Sequence, residues 1–520
     1  MSAIYRLVVA ATLATGVLSG LLAPVRAAEK VVNLAYGAQG PGQLDPHLST
    51  KSQDMILFGM MFNGLVRFKP GSISPESIEP DLATKWESSP DGLVWTFHLR
   101  HGVKFHRGYG ELTAADVVYS FERAADPKRS SVASDYKEFK KVEAVDPYTV
   151  RITLSQPVPS LLGLVVNYHG GDIVSKKAAE EMGANFKLSP VGTGPFAFAE
   201  YKQGQYVRLV ANKAYFRGRP KIDAINYHYI PSEASRELAY TNGEIDEYLG
   251  KREERWVERV KKTKGLDVDV FGPGELRTLH LNMTVKPLND IRVRKAIAYA
   301  INRDELRALI GKSVTSATYS PVPNGYLGET SDVPKYPYDP KKAKALLAEA
   351  GYGKGLKLSA IITKNAALLR PMEAIQAQLR RVGINLDLTV VEHAAFHAQI
   401  RKDLSSLVLY GAARFPIADT YLTQFYHSRS IVGSPTAVTN FSHCAVADAE
   451  IDAARKETDL ARQKELWAKA QQKIMDAVCA VPLFEQLQVW ARRDTIHYGF
   501  PLKGSMSLGP LFTEASTVGK

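Results

Sequence analysis

The sequence has only two cysteines among its 520 residues, and no apolar run reaches the roughly 18 residues that a membrane-spanning helix needs. It also lacks the phosphate-binding patterns G-x-x-x-x-G-K-[ST] and G-x-G-x-x-G, a serine nucleophile elbow, a zinc motif and a catalytic-cysteine motif. We therefore expect no enzymatic activity, no cofactor and no bound metal. An exported hydrolase is the alternative of a different class, because glycosidase carboxylates can lie far apart in sequence.

The amino terminus carries a clear targeting pattern. Arg6 precedes an apolar segment, residues 7–18, and Pro24 and Ala27 follow it. A cation, a short apolar run and a small-residue cleavage site are typical of a secretory signal peptide, which we assign to residues 1–27. No cysteine lies near the cleavage site to carry a lipid. We expect a periplasmic protein without a lipid anchor.

The chain is basic, with a formal net charge of +12 at pH 7. Removal of Arg6 and Arg26 with the signal peptide leaves 12 − 2 = +10, because the first acidic residue is Glu29. The lysines and arginines are spread along the chain, and export separates the protein from nucleic acid. We therefore expect no nucleic-acid partner, although the positive field favours anionic ligands.

The two cysteines, Cys444 and Cys479, lie 479 − 444 = 35 residues apart. An oxidising compartment permits them to pair, and we expect a disulfide. The alternative is two buried thiols that pack as small apolar side chains.

Local patterns mix helices and strands throughout the chain. Alternating apolar residues at 93–99 predict a half-buried strand, and residues 291–300 read as a helix capped by Asp290. Pro371 predicts the start of another helix that ends at Gly383, after which residues 384–390 alternate as a strand. About 490 mature residues exceed what one hydrophobic core supports, so we expect an α/β protein of at least two lobes.

Six motifs occur in an order and spacing that resemble the extracellular solute-binding proteins of family 5, the peptide, dipeptide and nickel binders of ABC importers. The motifs are LDPHLST (44–50), PDLATKWESSPDGLVWTFHLRHGVKFHRG (80–108), TAADVVYSFERAADP (113–127), VGTGPF (191–196), NDIRVRKAIAYAINRDEL (289–306) and YDPKKAKALLAEAGY (338–352). Each motif also has a structural explanation. Gly192 and Gly194, for example, are predicted to permit a tight backbone crossing between lobes.

The resemblance implies a type II, cluster C-like periplasmic binding protein fold, with two hinged lobes and an inserted domain. By position, lobe I takes residues 28–70, 189–276 and 491–520, the insert takes 71–188, and lobe II takes 277–490. A small-molecule or peptide ligand is expected in the cleft between the lobes, and the closed form is read by an ABC permease in the inner membrane. We expect a monomer.

The sequence departs from the peptide-binding relatives at a loop that in those relatives resembles W-x-A-D-Y-x-x-P-x-x-F-L. There an aspartate binds the α-ammonium group of the ligand. Aligned on Phe415 and Tyr421, that aspartate corresponds to Arg414 here and the tryptophan to Gly411. We hypothesise that Arg414 binds a carboxylate or another anion, because its planar guanidinium suits bidentate pairing. A surface arginine, or a shifted register in which Asp419 meets the ammonium group, remains open.

Other residues are candidate cleft contacts through the resemblance, because they end elements near the hinge or lie where relatives bring the insert towards the ligand. With Arg414, Phe415 and Asp419 they complete the predicted site, and they are Gln39, Tyr168, His169, Asp172, Asn282 and Tyr410.

Two histidine pairs, His98 with His101 and His393 with His397, raise the question of a metal site. Neither has a third ligand in its motif, so we predict none, and His98 falls on the polar face of its strand. The main hypothesis is a binding protein for a small peptide-like or anionic solute. A nickel chelate or an opine or sugar-type solute on the same fold is the alternative.

Overall fold

The structure is a computed structural model, and it describes residues 29–49, 51–158, 161–433 and 439–519. The predicted signal peptide, residues 1–27, lies outside the described residues. In the described part of the chain, no helix has the length and apolar character that a membrane span requires.

Strands and helices alternate along the chain, as the mixed local patterns predict. The strands are β1 Val31–Tyr36, β2 Val66–Phe68, β3 Ile78–Pro80, β4 Ala83–Ser88, β5 Val94–Leu99, β6 Phe139–Asp146, β7 Thr149–Leu154, β8 Phe196–Lys202, β9 Tyr206–Ala211, β10 Ala224–Tyr229, β11 Glu247–Leu249, β12 Leu266–Leu281, β13 Thr315–Ala317, β14 Leu356–Thr363, β15 Ile384–Val391, β16 Leu407–Ala412, β17 Ala480–Arg493, β18 Ile496–His497 and β19 Thr517–Val518. The helices are α1 Ser52–Met61, α2 Ala114–Ala125, α3 Leu161–Leu164, α4 Lys176–Met182, α5 Glu233–Asn242, α6 Glu254–Lys261, α7 Ile291–Ala300, α8 Arg303–Ile310, α9 Pro340–Glu349, α10 Ala366–Arg381, α11 His393–Arg401, α12 Ala418–Tyr426, α13 Asp448–Lys456 and α14 Leu460–Asp476.

One large sheet runs through the molecule in the strand order β16-β12-β17-β11-β1-β10-β9-β8, with β13 also paired to β17. β1 lies parallel to β10 and β11, whereas β12 and β17 are long antiparallel partners. β12 has 16 residues and β17 has 14, and the register between them shifts at Phe271/Glu275 and Arg277/Thr278. These two strands therefore cross the molecule from one lobe to the other.

Two smaller sheets lie on either side of this crossing. The four-stranded sheet β4-β5-β7-β6 falls within residues 83–154, and its core is continuous with that of β1 and β8–β10. The parallel pair β14-β15 packs against α10 with a separate core. We call the body around β1 and β8–β11 the first lobe, the body around β4–β7 the insert, and the body around β14 and β15 the second lobe. The domain boundaries given above stay a prediction.

The helix predictions were right where a cap was visible and wrong where a proline was used as the start. α7 begins after Asp290, whose side chain accepts a hydrogen bond from the Arg292 backbone N–H. α10 begins at Ala366 after the Asn365 cap, so Pro371 lies inside the helix and not at its start. Pro371 is the sixth residue of this 16-residue helix, so the Ala367 carbonyl receives no hydrogen bond from it, and the helix continues on both sides of that gap.

The two glycines of VGTGPF make a close backbone crossing, although not between the lobes. A Cβ at Gly192 would lie 2.2 Å from the Met61 carbonyl oxygen, and one at Gly194 would lie 2.5 Å from that of Met60. The Gly194 N–H donates to the Met61 carbonyl at 2.9 Å. The crossing is thus against the carboxyl end of α1, within the first lobe.

A disulfide joins Cys444 to Cys479, and both residues are fully buried. It connects the loop before α13 to the residue that precedes β17. The surrounding apolar cluster includes Phe425 and Trp467. The bridge therefore fixes the second lobe directly beside one of the two crossing strands.

Candidate functional site

The loop after β16 brings the second lobe against the first lobe and the insert. The Phe415 ring lies 5.8 Å from the Phe68 ring, centroid to centroid. A Cβ built on Gly163 of α3 would lie 2.2 Å from Cζ of Phe415, so the ring rests on a bare backbone. Phe415 is a predicted ligand contact. In the structure its ring contacts Phe68 and Gly163 on the other side of the cleft.

Arg414 precedes this ring and is half-buried. Its Nε donates to Gln424 Oε1 at 2.5 Å, its Nη1 donates to the Ala413 carbonyl at 2.9 Å, and its guanidinium lies 5.3 Å from the centre of the Phe425 ring. The Tyr326 hydroxyl holds the loop by bonding both the Arg414 N–H and its carbonyl oxygen. Within the described residues no carboxylate lies within 4.0 Å of the guanidinium. Arg414 is therefore a positioned cation that is free to pair with an anion.

The insert presents titratable groups to that cation. Burial raises the pKa of Tyr168 to about 12, against the opposing charge of Arg414. Burial, with a contribution from Arg414, lowers the pKa of His169 to about 4, so its imidazole is neutral at pH 7. Tyr168 and His169 thus lie close enough to Arg414 for its charge to act on them, and their role in solute binding stays a prediction.

Two predicted acids have other surroundings. Asp419 is buried, and its carboxylate pairs with Arg455 at 3.1 Å. An ammonium group would have to compete with that ion pair. Asp172 is fully buried, and burial raises its pKa well above the ordinary value, so the neutral acid is favoured. It is 0% exposed, and neither carboxylate oxygen has a hydrogen-bond partner among the described residues, so its contact with a solute stays a prediction.

The remaining predicted contacts divide between surface and packing. Gln39 is exposed in the segment after β1. Asn282 is 3% exposed, and its Oδ1 accepts hydrogen bonds from the backbone and hydroxyl of Thr284, so it shapes a turn. Tyr410 is half-buried, with its ring 5.2 Å from that of Phe441.

A cluster of charged and amide side chains at the crossing of β12 and β17 was missed by the sequence analysis. Arg252 Nη1 lies 3.2 Å from Glu275 Oε1, and Arg277 Nη2 lies 2.7 Å from Glu275 Oε2. Arg277 also donates to Gln486 Oε1, and Arg252 donates to Gln488. Burial would raise the pKa of Glu275, but the two guanidinium groups hold it at about 2. The members come from three distant segments, and no local pattern marks them.

Glu485 is the second unexpected acid at this crossing. It is 4% exposed, its Oε1 accepts a hydrogen bond from the Asn324 N–H at 2.6 Å, and burial raises its pKa to about 7, with a smaller contribution from Glu329. Since a model glutamate titrates near 4.3, the folded protein binds this proton more tightly than the unfolded chain does.

This raised pKa predicts a pH-dependent effect of Glu485→Gln on stability. The stabilisation by the bound proton is complete below the unfolded pKa and is lost as pH rises towards 7. Glutamine mimics the protonated acid, so the variant should match the wild type at pH 4.5 and exceed it at pH 8 by about 3 kcal/mol. Urea unfolding at both pH values measures the difference. Glu122→Gln, at an exposed glutamate on α2 away from this crossing, is the control, and equal effects of Glu485→Gln at both pH values would contradict the assignment.

The histidine pairs do not form a recognisable metal centre. His393 Nε2 and His397 Nε2 lie 3.3 Å apart, and His98 Nε2 lies 3.5 Å from Glu87 Oε1. His101 stacks against Tyr148. Across residues 29–49, 51–158, 161–433 and 439–519, no group of three histidine, cysteine, aspartate or glutamate side chains could hold a metal ion.

Space between the lobes is also present beyond the Arg414 loop. A cavity of about 500 Å³ is lined by residues 74–76, which belong to the predicted insert, and by residues 325–330, 461, 464, 465 and 468 of the second lobe. Its volume falls in the range of about 300–1,000 Å³ that is usual for small-molecule sites.

Comparison with known proteins gives consistent matches. The family model of bacterial extracellular solute-binding proteins, family 5 (middle region), matches residues 77–432. The solved structure of MoaA from A. tumefaciens R10 in complex with mannopinic acid is 48% identical, covers 95% of this chain and 100% of its own, and superposes with a TM-score of 0.83. DppA from Helicobacter pylori in complex with the peptide STSA is 30% identical, with 94% and 98% coverage and a TM-score of 0.79. The dipeptide-binding protein of Escherichia coli K12 is 30% identical over 419 residues, 74% of this chain and 77% of the relative.

Proposed function

Because the chain belongs to the bacterial extracellular solute-binding proteins of family 5, we propose that it captures an opine-type solute with a free carboxylate between its two lobes. The chain has the type II periplasmic binding protein fold and is a substrate-binding component of an ABC importer. In this role the protein recognises the solute by shape and charge. The ABC permease then receives the closed, loaded form.

The observation that carries the proposal is the surroundings of Arg414. It is a half-buried cation, held by Gln424 and by the Tyr326 hydroxyl, and it has no carboxylate within 4.0 Å among the described residues. Peptide-binding relatives have an aspartate at the corresponding place, which suits an ammonium group. A guanidinium there repels an ammonium group and attracts a carboxylate. The 48% identity with the mannopinic acid complex of MoaA supports an acidic solute of the same kind.

Closure follows from contacts on both sides of the cleft. Phe415 of the second lobe rests on Gly163 and Phe68, which lie on the other side. A solute that bonds Arg414 and also touches the insert near Tyr168 stabilises this closed arrangement over the open one. The binding free energy therefore includes the lobe-to-lobe contacts.

The sequence also supports proposals about export, localisation, oligomeric state and domain boundaries. Residues 1–27 are removed on export, and the mature protein works in the periplasm as a monomer. Lobe I consists of residues 28–70, 189–276 and 491–520, with the insert at 71–188 and lobe II at 277–490. The solute leaves the protein chemically unchanged, and no nucleic acid takes part.

Titration calorimetry with mannopinic acid tests the proposal. We expect a Kd of about 1 μM or below, which corresponds to about −8 kcal/mol, and at least tenfold weaker binding of a neutral-side-chain dipeptide. Arg414→Ala should weaken mannopinic acid binding roughly 10- to 100-fold, because a charge-assisted hydrogen bond contributes about 1.5–3 kcal/mol.

Arg429→Ala is the control, since Arg429 is an exposed arginine in the same lobe and lies outside the Arg414 loop. Its affinity for mannopinic acid should equal that of the wild type. Tight dipeptide binding together with no response to mannopinic acid would overturn the opine proposal and favour a peptide binder.

A further inference from the structure

The floor of the cleft, where β12 and β17 cross, contains more positive than negative charge. Arg252 and Arg277 share a single carboxylate, that of Glu275. The side chain of Arg277 is 5% exposed and that of Arg252 is 23% exposed. Two guanidinium groups and one carboxylate leave an excess of one positive charge in a nearly closed site. An unbalanced charge of this kind costs free energy unless a partner is supplied.

Arg236 adds a third guanidinium on the first-lobe side. It is 6% exposed, its Nη1 donates to the Ile230 and Pro231 carbonyls at 2.6 and 3.0 Å, and its Nε has no hydrogen-bond partner within the described residues. Its Nη1 lies 2.7 Å from where a Cβ of Gly37 would be. The segment after β1 therefore runs directly over this guanidinium.

Tyr36 lies near both Arg252 and Arg236. Burial raises its pKa, and Arg252, Glu275 and Arg236 all act on its hydroxyl through their charges. The three arginines are thus gathered around the end of β1, where Gln39 reaches the exposed surface. We call Arg236, Arg252 and Arg277 the arginine floor.

Nearby acids that could balance this charge are engaged elsewhere. Glu485 of the same crossing bonds the Asn324 N–H, and its neighbour Gln486, which bonds Arg277, points to the opposite face of β17. Glu233 and Glu237 pair with Lys251 at 3.1 and 3.4 Å, and Glu237 also bonds Arg259. The Asp54 carboxylate accepts hydrogen bonds from the backbone of residues 42 and 43. The excess charge of the arginine floor is therefore left for a ligand.

A missing side chain on β16 makes room for this arrangement. Arg277 of β12 faces Gly411 of β16 in the strand register. A Cβ on Gly411 would lie 1.6 Å from Arg277 Nη1 and 2.6 Å from its Cζ. Any larger residue at position 411 would displace the guanidinium. Glycine at the position where peptide-binding relatives have tryptophan thus lets an arginine lie across the sheet.

We propose that the arginine floor is a second anion-binding subsite, in which Arg252, backed by Arg277 over Gly411 and flanked by Arg236, receives a second carboxylate of the solute. The inference rests on the proposed function and names the class of solute more narrowly, as a dicarboxylate. One carboxylate meets Arg414 and the other meets Arg252. The two subsites select against solutes in which either carboxylate is amidated.

The test compares mannopinic acid, an N-substituted glutamic acid, with the matching N-substituted glutamine, which has one carboxylate fewer. Calorimetry on the wild type should show the diacid binding roughly 10- to 100-fold tighter than the amide, as expected for one charge-assisted hydrogen bond. Arg252→Gln should reduce this preference to less than threefold. It should also leave the melting temperature of the ligand-free protein unchanged or higher, because it balances Glu275 against Arg277.

Gly411→Ala should reduce the preference in the same way by displacing Arg277. Gly353→Ala is its matched control, because a Cβ there lies no closer than 3.5 Å to any neighbour and Gly353 is not at the cleft. If the wild type binds neither compound, the proposed function is wrong. A wild-type protein that binds the diacid, with a preference unchanged in both Arg252→Gln and Gly411→Ala, overturns the subsite and leaves the proposed function intact.

Discussion

Removing the disulfide by Cys444→Ala together with Cys479→Ala is expected to lower the free energy of unfolding by about 3–4 kcal/mol. The bridge closes a loop of 35 residues, and in the chain-entropy account a loop of that size restricts the unfolded state by about this amount. Both residues are fully buried, so the alanines lie in an apolar cluster and leave no unpaired polar group. Guanidinium unfolding under oxidising conditions measures the change.

The wild type unfolded in the presence of a reductant is the control for this experiment. It should fall to the stability of the double-alanine variant, whereas the variant should not respond to the reductant. Equal unfolding midpoints for oxidised wild type and variant would show that the bridge does not constrain the unfolded chain. Solute affinity should be unchanged below the unfolding transition, because neither residue lies at the cleft.

Replacing Gly163 by valine is expected to weaken solute binding roughly 10- to 100-fold with little change in the stability of either lobe. The Cβ alone would lie 2.2 Å from Cζ of Phe415, far inside the ~3.5 Å separation of carbon atoms in contact. The ring must move away, and the closed arrangement loses its contact across the cleft. Closure then costs free energy that the solute has to supply.

A double-mutant cycle separates closure from damage to the insert. Phe415→Ala removes the ring and should weaken binding less than Gly163→Val, because no clash is created. In the presence of Phe415→Ala, Gly163→Val should have little further effect, since the space is vacant. Additive losses in the double variant would mean that valine perturbs α3 itself and not the cleft contact. Calorimetry with mannopinic acid and melting curves of all four proteins supply the data.

Local signals accounted for much of the secondary structure. α7 and its Asp290 cap and the strand after Gly383 could be predicted, because capping and alternation are properties of neighbouring residues. The start of α10 could not be predicted, because an asparagine cap such as Asn365 is a weaker sequence signal than a proline such as Pro371. The family motifs then predicted the α/β fold of the solute-binding proteins, which the comparisons confirm.

The site was harder to predict because its geometry depends on side chains from distant segments. Arg414 was a candidate from a single loop, because the resemblance to peptide-binding proteins implies an aspartate there. Arg252, Glu275 and Arg277 meet only through the pairing of β12 with β17 and the position of β11 beside it. The complete burial of Asp172 was likewise not visible in the sequence, because burial depends on the segments that pack around a residue.

The paired strands β12 and β17 are where we expect the two lobes to hinge. Their hydrogen-bonded ladder is interrupted between Phe271 and Glu275 and again at Arg277, beside the arginine floor. A pair of β-strands bends most readily where its regular pairing is interrupted. We therefore expect the two lobes to hinge at these irregularities, and a solute bound beside Arg277 would influence the angle between them.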